Sequence, residues 1–540
     1  MPSSPRGADC LIRTLVGHGV QRIFTLSGNQ IMSVFDAALD EAVELMHVRH
    51  EAPAVHMADA WGRLTGQSGV ELVTAGPGFA NCLSALYVAQ MAESPLVLIS
   101  GAAPQGKAGR GAFQQMAQRE MASFVTKASW TVESAANIAA DLARAMKIAG
   151  SGRPGPVHLS IPADVLEART EALGVSAEGK LPAADDDPSD RDLQAISRTL
   201  SDAARPLVLL GPAMMRTDAA EMIEAATGIP VIGMESPRGA NGPSVGALAE
   251  ILPQADAVLL LGKKLDYTLR LGGELVFGSD CRLLQVDAEM ESLDMTRAAV
   301  AEPARIVRAI CADPFCAARL IASQAGGSAA RIRPWFDDVH QAISFRPADW
   351  PQLQSQPLHP AEVCLEVNRF LRDADKSVSV CDGGEFGQWA QGCLRATHSL
   401  MNGPSGSIGS VLPLGLGART VFPQARIVAV CGDGTVGFHL SELDTALRHE
   451  LPIILIVGND ARWNAEHQIQ IKKFGDARTT SCDLLPTRYD QVAVALGCHG
   501  ELVTQIAELR PALTRAEQSG LPACINVMID GVAAPIIRRH

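Results

Sequence analysis

The chain has 540 residues, 47% apolar and 19% charged, which is too long for one compact core and points to about three domains of an ordinary globular protein. Its 46 basic and 59 acidic residues give a formal charge of −13, and no Lys/Arg stripe offsets the repulsion a phosphate backbone would meet, so nucleic acid is excluded as a partner. Met1 to Gly7 lacks an apolar signal segment and no apolar run is long enough to span a bilayer, so the reading is a soluble, cytoplasmic protein with no membrane partner. The 12 cysteines are scattered without a CxxC pair and read as reduced core thiols.

In chain order, short apolar runs bounded by turn residues predict strands at Ile23–Leu26, Val70–Thr74, Leu96–Ile99, Leu207–Leu210, Val258–Leu261, Leu283–Val286, Ile427–Val430, Ile453–Val457 and Ile525–Met528. Helix-period segments lie between them. Continuous apolar runs mark strands covered on both faces, so parallel sheets flanked by helices are expected. Two stretches read as linkers: Glu178 to Asp192, with Asp185-Asp186-Asp187-Pro188, and Ala322 to Pro360, broken by Gly326-Gly327, Pro334, Pro347, Pro351 and Pro357. The expected fold is α/β, with three doubly wound parallel-sheet domains over 1–177, 190–335 and 358–540.

The stretch Arg426 to His467 carries the strongest chemical signal. It reads as a strand, Ile427 to Cys431, a Gly432-Asp433-Gly434 turn, a helix of about His439 to His449, a strand, Ile453 to Val457, and then Gly458-Asn459-Asp460. In a right-handed βαβ unit both strands run the same way, so Asp433 and Asp460 emerge at one carboxyl edge, where open α/β sheets bind ligands. Two carboxylates suit Mg²⁺, which takes oxygen ligands and is usually completed by phosphates. The glycines let a diphosphate approach closely, and the following helix offers free N–H groups. An Asp-Gly turn alone is commonplace; its spacing to Asn459-Asp460 is not.

That spacing resembles the signature of the thiamine diphosphate enzymes, in which an Asp, an Asn at the end of the next strand and a carbonyl two residues on hold Mg²⁺. By position the resemblance puts these roles on Asp433, Asp460 and the carbonyl of Arg462, with Gly434 and Thr435 at the diphosphate. Asp460 departs from the family's usual Asn. Arg49-His50-Glu51, running on to Trp61-Gly62-Arg63, resembles the family's glutamate helix. Glu51 would then stand beside N1′ of the cofactor's aminopyrimidine and promote the imino tautomer that removes the C2 proton; the plainer reading is a first-turn carboxylate favoured by the helix dipole. Gly76-Pro77-Gly78-Phe79-Ala80-Asn81 resembles the family turn whose Asn, here Asn81, lies by the partner subunit's pyrimidine. Asp382-Gly383-Gly384-Glu385-Phe386 sits where the family contacts the diphosphate, and Glu385 could serve there only through its backbone. Gly406-Ser407-Ile408-Gly409 resembles the segment whose apolar residue, here Ile408, wedges the cofactor into a bent shape.

The order of motifs resembles the branch containing acetolactate synthases, benzaldehyde lyase and the 2-hydroxyacyl-CoA lyases. Ala112-Phe113-Gln114 is similar to the Ala-Phe-Gln of acetolactate synthases, whose Gln faces a developing oxyanion; a surface glutamine is the alternative. Ile469 stands where acetolactate synthases carry a selecting Trp, while Trp463, Ala465 and Ile469 look more like the pocket of benzaldehyde lyase, with Gln30 in place of that enzyme's active-site His. Gly262-Lys263-Lys264-Leu265-Asp266-Tyr267 followed by Val286-Asp287 resembles the 2-hydroxyacyl-CoA lyases, whose middle domain can bind an adenine nucleotide; a purely structural role is the other reading. FAD, bound by acetolactate synthases, finds no supporting motif.

The resemblance implies a thiamine diphosphate and Mg²⁺ lyase or carboligase acting on a small-molecule substrate, a 2-ketoacid or an acyloin. A 2-hydroxyacyl-CoA lyase and a catalytically silent protein of the same fold are the alternatives. An NAD dehydrogenase is a poorer one, since no GxGxxG follows a first strand. Motifs for the two ends of the cofactor fall on separate domains, which in the resembling enzymes belong to different chains, so a homodimer or homotetramer with shared sites is implied.

Overall fold

The computed structural model describes residues 4–171, 189–273, 276–300, 302–323 and 329–539. Among these residues seventeen strands form three sheets, and every strand pairing is parallel. The first sheet contains β1 (Arg22–Thr25), β2 (Glu44–His47), β3 (Gly69–Val73), β4 (Leu96–Ala102), β5 (Ala128–Thr131) and β6 (Pro156–Pro162), in the order β2-β1-β3-β4-β6-β5. The second contains β7 (Pro206–Leu210), β8 (Val231–Gly233), β9 (Ala257–Leu261), β10 (Arg282–Asp287) and β11 (Ile306–Cys311), in the order β8-β7-β9-β10-β11. The third contains β12 (Ser377–Cys381), β13 (His398–Met401), β14 (Arg426–Gly432), β15 (Ile454–Asn459), β16 (His499–Val503) and β17 (Ala523–Met528), in the order β13-β12-β14-β15-β17-β16. The expected architecture of three parallel α/β sheets is the observed one, and the first and third sheets are wound alike.

Every predicted apolar run is a strand. The strands without such a run include all six sheet edges, β2, β5, β8, β11, β13 and β16. An edge strand has solvent on one flank and tolerates polar or half-exposed residues; β11 has no fully buried position.

Part of the second expected linker is corrected. Ala329–Ser344 is a helix: Ile332, Trp335, Val339 and Ala342 recur at helical spacing and are buried, and the Trp335 indole N–H donates to the carbonyl of Pro206 at 2.8 Å. Pro334 forfeits one backbone hydrogen bond, and the buried face outweighs it. Gly326-Gly327 and the first linker as far as Pro188 lie outside the described residues. From there the chain enters a helix, Asp190–Asp202, whose Ser189 cap accepts the N–H of Asp192 at 3.2 Å.

Chain order reverses beside the first strand of each sheet, between β1 and β3, β7 and β9, and β12 and β14. The crevices outside the carboxyl ends at such switch points are where open α/β sheets take ligands. One apolar core joins the first and third sheets, with Phe24, Met57 and Leu98 packed in the same cluster as Val380, Leu414 and Leu455. The helices Glu51–Thr65 and Val411–Val421 approach so closely that a Cβ on Gly417 would stand 2.7 Å from the Met57 carbonyl oxygen and the Ala60 Cβ.

Candidate active site

The first crevice is built around Glu51. His50 is extended, with φ −150°, and its Nδ1 accepts the N–H of Ala52 at 3.2 Å, so the helix starts at Glu51 and the carboxylate stands at its mouth. Glu51 is 8% exposed, and the side-chain nitrogen of Asn81 donates to its Oε2 at 2.9 Å. A Cβ on Gly78 would come within 2.7 Å of Thr74 Cγ2 and 3.3 Å of Glu51 Oε1, so glycine is what lets the turn close on the carboxylate. The Thr74 hydroxyl donates to Gln30 Oε1 at 2.6 Å. Gln114, in the left-handed region at φ +57°, covers the same turn: a Cβ on Gly76 would be 2.8 Å from its carbonyl oxygen, and its side-chain Oε1 is buried without a hydrogen-bond partner. Glu51, Asn81, Gln30 and Gln114 are thus gathered at one sheet edge.

No motif points to the residue that fixes this helix from outside. Glu442, from the third domain, accepts the backbone N–H of Arg49 at 3.1 Å and the Thr445 hydroxyl at 2.6 Å. Burial pushes its carboxyl up to about 7.

The second crevice holds the aspartates. The turn expected at Gly432-Asp433-Gly434 is itself helical, Asp433–Val436, and the expected helix of about His439 to His449 is the shorter Glu442–Arg448. The chain turns into a helix directly off the strand, which presents the N–H groups of Gly434 and Thr435 at a helix start. Asp433 is 2% exposed and its Oδ2 has no hydrogen-bond partner. Burial pushes Asp433 up to about 6 and Asp460 up to about 7; the two carboxyls interact directly, and the backbone N–H of Arg462 favours the charged form of both. Ala461, at φ +55°, makes the tight turn between Asp460 and Arg462. Asn459 lies beneath that turn: its side-chain nitrogen donates to the Thr487 carbonyl at 2.9 Å and its Oδ1 accepts the N–H of Ala461 at 3.2 Å.

Trp463 closes this crevice, since a Cβ on Gly434 would be 2.7 Å from its ring. Ala465 and Ile469 follow on the helix Asn464–Phe474, and Ile469 is 51% exposed. At the end of β12, fully buried Asp382 accepts the N–H of Gly383 at 2.7 Å and of Gly409 at 2.9 Å, which pins the loop carrying Gly406, Ser407 and Ile408. Ile408 Cγ2 would be 3.1 Å from a Cβ on Gly383. Gly384, at φ +71°, starts the next helix, and Phe386 packs against Gly458.

Glu385 commits its carboxylate elsewhere, to Arg238 of the middle domain at 3.0 Å and to the backbone N–H of Ala534. The tail so anchored passes Asp460. Gln468 and Asn464 donate to the carbonyls of Gly531 and Val532 at 3.0 and 3.2 Å, and a Cβ on Gly531 would be 3.5 Å from Asp460 Oδ2. Among the described residues no hydrogen bond or ion pair joins the Glu51 group to the Asp433 group.

In the middle domain, Arg153 reaches across from the first domain to the switch-point crevice. It donates to the Gly262 carbonyl at 3.1 Å and to Asp287 at 2.5 Å and pairs with Glu93, while Lys263 donates to Asp266 at 3.0 Å.

The donor set of the second crevice fits a hard divalent cation: two carboxyls close enough to interact, both raised by burial, with one oxygen of Asp433 unpartnered. The helix starts at Asp433 and Gly384 fit a diphosphate. Two like-wound sheets, one with a buried glutamate bonded to the turn after β3 and the other with an aspartate pair at the carboxyl ends of β14 and β15, present donors suited to an anchored organic diphosphate.

Residues 5–121 match the thiamine pyrophosphate enzyme N-terminal TPP binding domain, and residues 382–527 match the corresponding C-terminal TPP binding domain. The chain is 32% identical to the acetolactate synthase large subunit of Mycobacterium tuberculosis over 97% of this chain and 96% of that one. It is 30% identical to 2-hydroxyacyl-CoA lyase 2 of Caenorhabditis elegans over 98% and 90%, and 28% identical to sulfoacetaldehyde acetyltransferase of Castellaniella defragrans over 94% and 90%. The chain belongs to the thiamine diphosphate-dependent enzymes, as a lyase or carboligase. Among the described residues no helix is long and apolar enough to cross a membrane.

Proposed function

We propose that the chain binds thiamine diphosphate with one Mg²⁺ and makes or breaks the carbon–carbon bond beside the carbonyl of a 2-ketoacid or an acyloin. The observation that carries this reading is the Glu51–Asn81 pair at the carboxyl edge of the first sheet together with the Asp433–Asp460 pair at the carboxyl ends of β14 and β15. When bound, the cofactor supplies a carbon nucleophile and an electron sink. Asp433, Asp460 and the Arg462 carbonyl hold Mg²⁺. The backbones of Gly384, Glu385, Phe386, Gly434 and Thr435 hold the diphosphate, and Gly406, Ser407 and Ile408 shape the cofactor's bend. Glu51 shares a proton with the aminopyrimidine N1′, and Asn81 holds its carboxylate in place. The Gln114 amide donates to substrate oxygen as negative charge develops there. Gln30, Trp463, Ala465 and Ile469 line the substrate pocket. The working unit is a homodimer or homotetramer with sites shared between chains, as the motifs for the two ends of the cofactor fall on separate domains, operating in the cytoplasm.

A 2-hydroxyacyl-CoA lyase activity is the second reading, supported by the similarity to proteins of that name. Purified protein should contain, or take up under saturating Mg²⁺, one thiamine diphosphate per chain. A screen of 2-ketoacids, acyloins and 2-hydroxyacyl-CoA thioesters then separates the two readings, and failure to take up the cofactor ends both.

A further inference from the structure

The backbone that leads from β2 into the Glu51 helix is held by the third domain. The N–H of His47 donates to His449 Nε2 at 3.0 Å, its carbonyl accepts the Arg448 guanidinium at 2.8 Å, and the N–H of Arg49 donates to Glu442 at 3.1 Å. All three partners come from one stretch, the helix Glu442–Arg448 and the residue that ends it. Only His50 separates Arg49 from Glu51. Glu51 is thus placed from two sides: Asn81 bonds its carboxylate, and Glu442 bonds the backbone just ahead of it.

Glu442 is fully buried, and among the described residues the groups that bond it are all donors: the N–H of Arg49, 3.1 and 3.3 Å from its two oxygens, the N–H of His50, and the Thr445 hydroxyl at 2.6 Å. Convergent donors favour the ionised form and partly offset the burial that works against it. Fixing one N–H needs no charge, since a neutral oxygen does so at a lower desolvation cost. A carboxylate takes several donors at once and in stronger bonds, which makes the backbone ahead of Glu51 stiff as well as satisfied. Stiffness matters there, because about 1 Å of misplacement at a reacting group costs on the order of 10²-fold in rate.

We propose that Glu442 is a positioning residue for the proton transfer at Glu51, acting through the backbone of Arg49 and His50; this rests on the role proposed above for Glu51. The readout is exchange of the cofactor C2 proton, followed by NMR in the holoenzyme at about pH 8, where the Glu442 carboxyl is mostly ionised, and well below the melting temperature. Glu442→Gln, whose amide turns an NH₂ group toward one of those donors, slows exchange about tenfold and leaves the affinities for thiamine diphosphate and Mg²⁺ near those of the parent. That split separates positioning from an effect on the Asp433 turn, which precedes Glu442 in the chain and whose disturbance weakens Mg²⁺ binding. Thr445→Val keeps the carboxylate but removes one donor; it slows exchange about threefold and decides the matter should Glu442→Gln fail to fold. Exchange at the parent rate in these variants, or slowed only in step with lost Mg²⁺ or cofactor affinity, overturns the proposal while leaving Glu51 its role. Exchange at the parent rate in Glu51→Gln removes that role, and the proposal with it.

Discussion

Asn81 donates its side-chain N–H to Glu51 at 2.9 Å from the turn that follows β3, so the position of the glutamate is set by a residue thirty places downstream. If Glu51 shares its proton with the cofactor, Glu51→Gln should keep thiamine diphosphate bound but slow hydrogen–deuterium exchange at C2 by on the order of 10²–10⁴-fold. Asn81→Ala should cost roughly tenfold, the loss of one hydrogen bond to a charged group. Exchange followed by NMR measures both; an unchanged rate in Glu51→Gln removes the assigned role.

Asp433 and Asp460 give a pH dependence whose sign is fixed. Both are raised above the ordinary carboxylate, to about 6 and about 7, so the metal-free fold holds protons that the unfolded chain has released. Their contribution to its stability is fully present below about pH 4 and is lost as pH rises through that window. Mg²⁺ requires the ionised pair, so its binding strengthens over the same range. The rise in melting temperature produced by Mg²⁺ should be small at about pH 5.5 and level off above about pH 8. A rise independent of pH would show that these carboxyls do not bind the metal.

Glu385 ties the tail to the middle domain through Ala534 and Arg238. Glu385→Ala leaves the Ala534 N–H buried without an acceptor and should cost about 1–3 kcal/mol of stability. Carboxypeptidase should then trim the tail faster, while Glu385→Gln, which retains an acceptor, is milder. Equal trimming of Glu385→Ala and the parent would show that the contact does not hold the tail.

Ile469 is exposed on the helix that follows the aspartates. If that helix lines the acceptor side, Ile469→Trp should change acceptor preference about tenfold or more and leave C2 exchange intact. Identical product ratios would place the helix away from substrate.

Shared sites make the strongest prediction about assembly. Glu51→Gln and Asp433→Ala chains, each inactive alone, should regain activity on mixing, with about half the sites restored in each heterodimer, one intact and one doubly damaged. No recovery despite demonstrated subunit exchange would place each site within one chain.

The sequence by itself determined the fold class and both ends of the proposed site. Strands buried on both faces are mostly apolar, so β4, β9 and β14 are legible, as is β3 despite its buried Glu71, and a turn at a strand's carboxyl end leaves a local trace such as Gly432-Asp433-Gly434 or Gly76-Pro77-Gly78. The edge strands and the Ala329–Ser344 helix were hidden, because partial exposure dilutes the apolar signal in the first and scattered Gly and Pro mimic a linker in the second. Only the tertiary structure decided how the site residues are held: Glu442 on the backbone of Arg49, Asp382 on Gly409, Glu385 on Arg238 and Ala534. These pairs join residues far apart in the chain, and a side chain's own neighbours in sequence record whether it is buried but not which distant group it meets there. That is settled when packed helices such as Glu51–Thr65 and Val411–Val421 fix one approach of the domains.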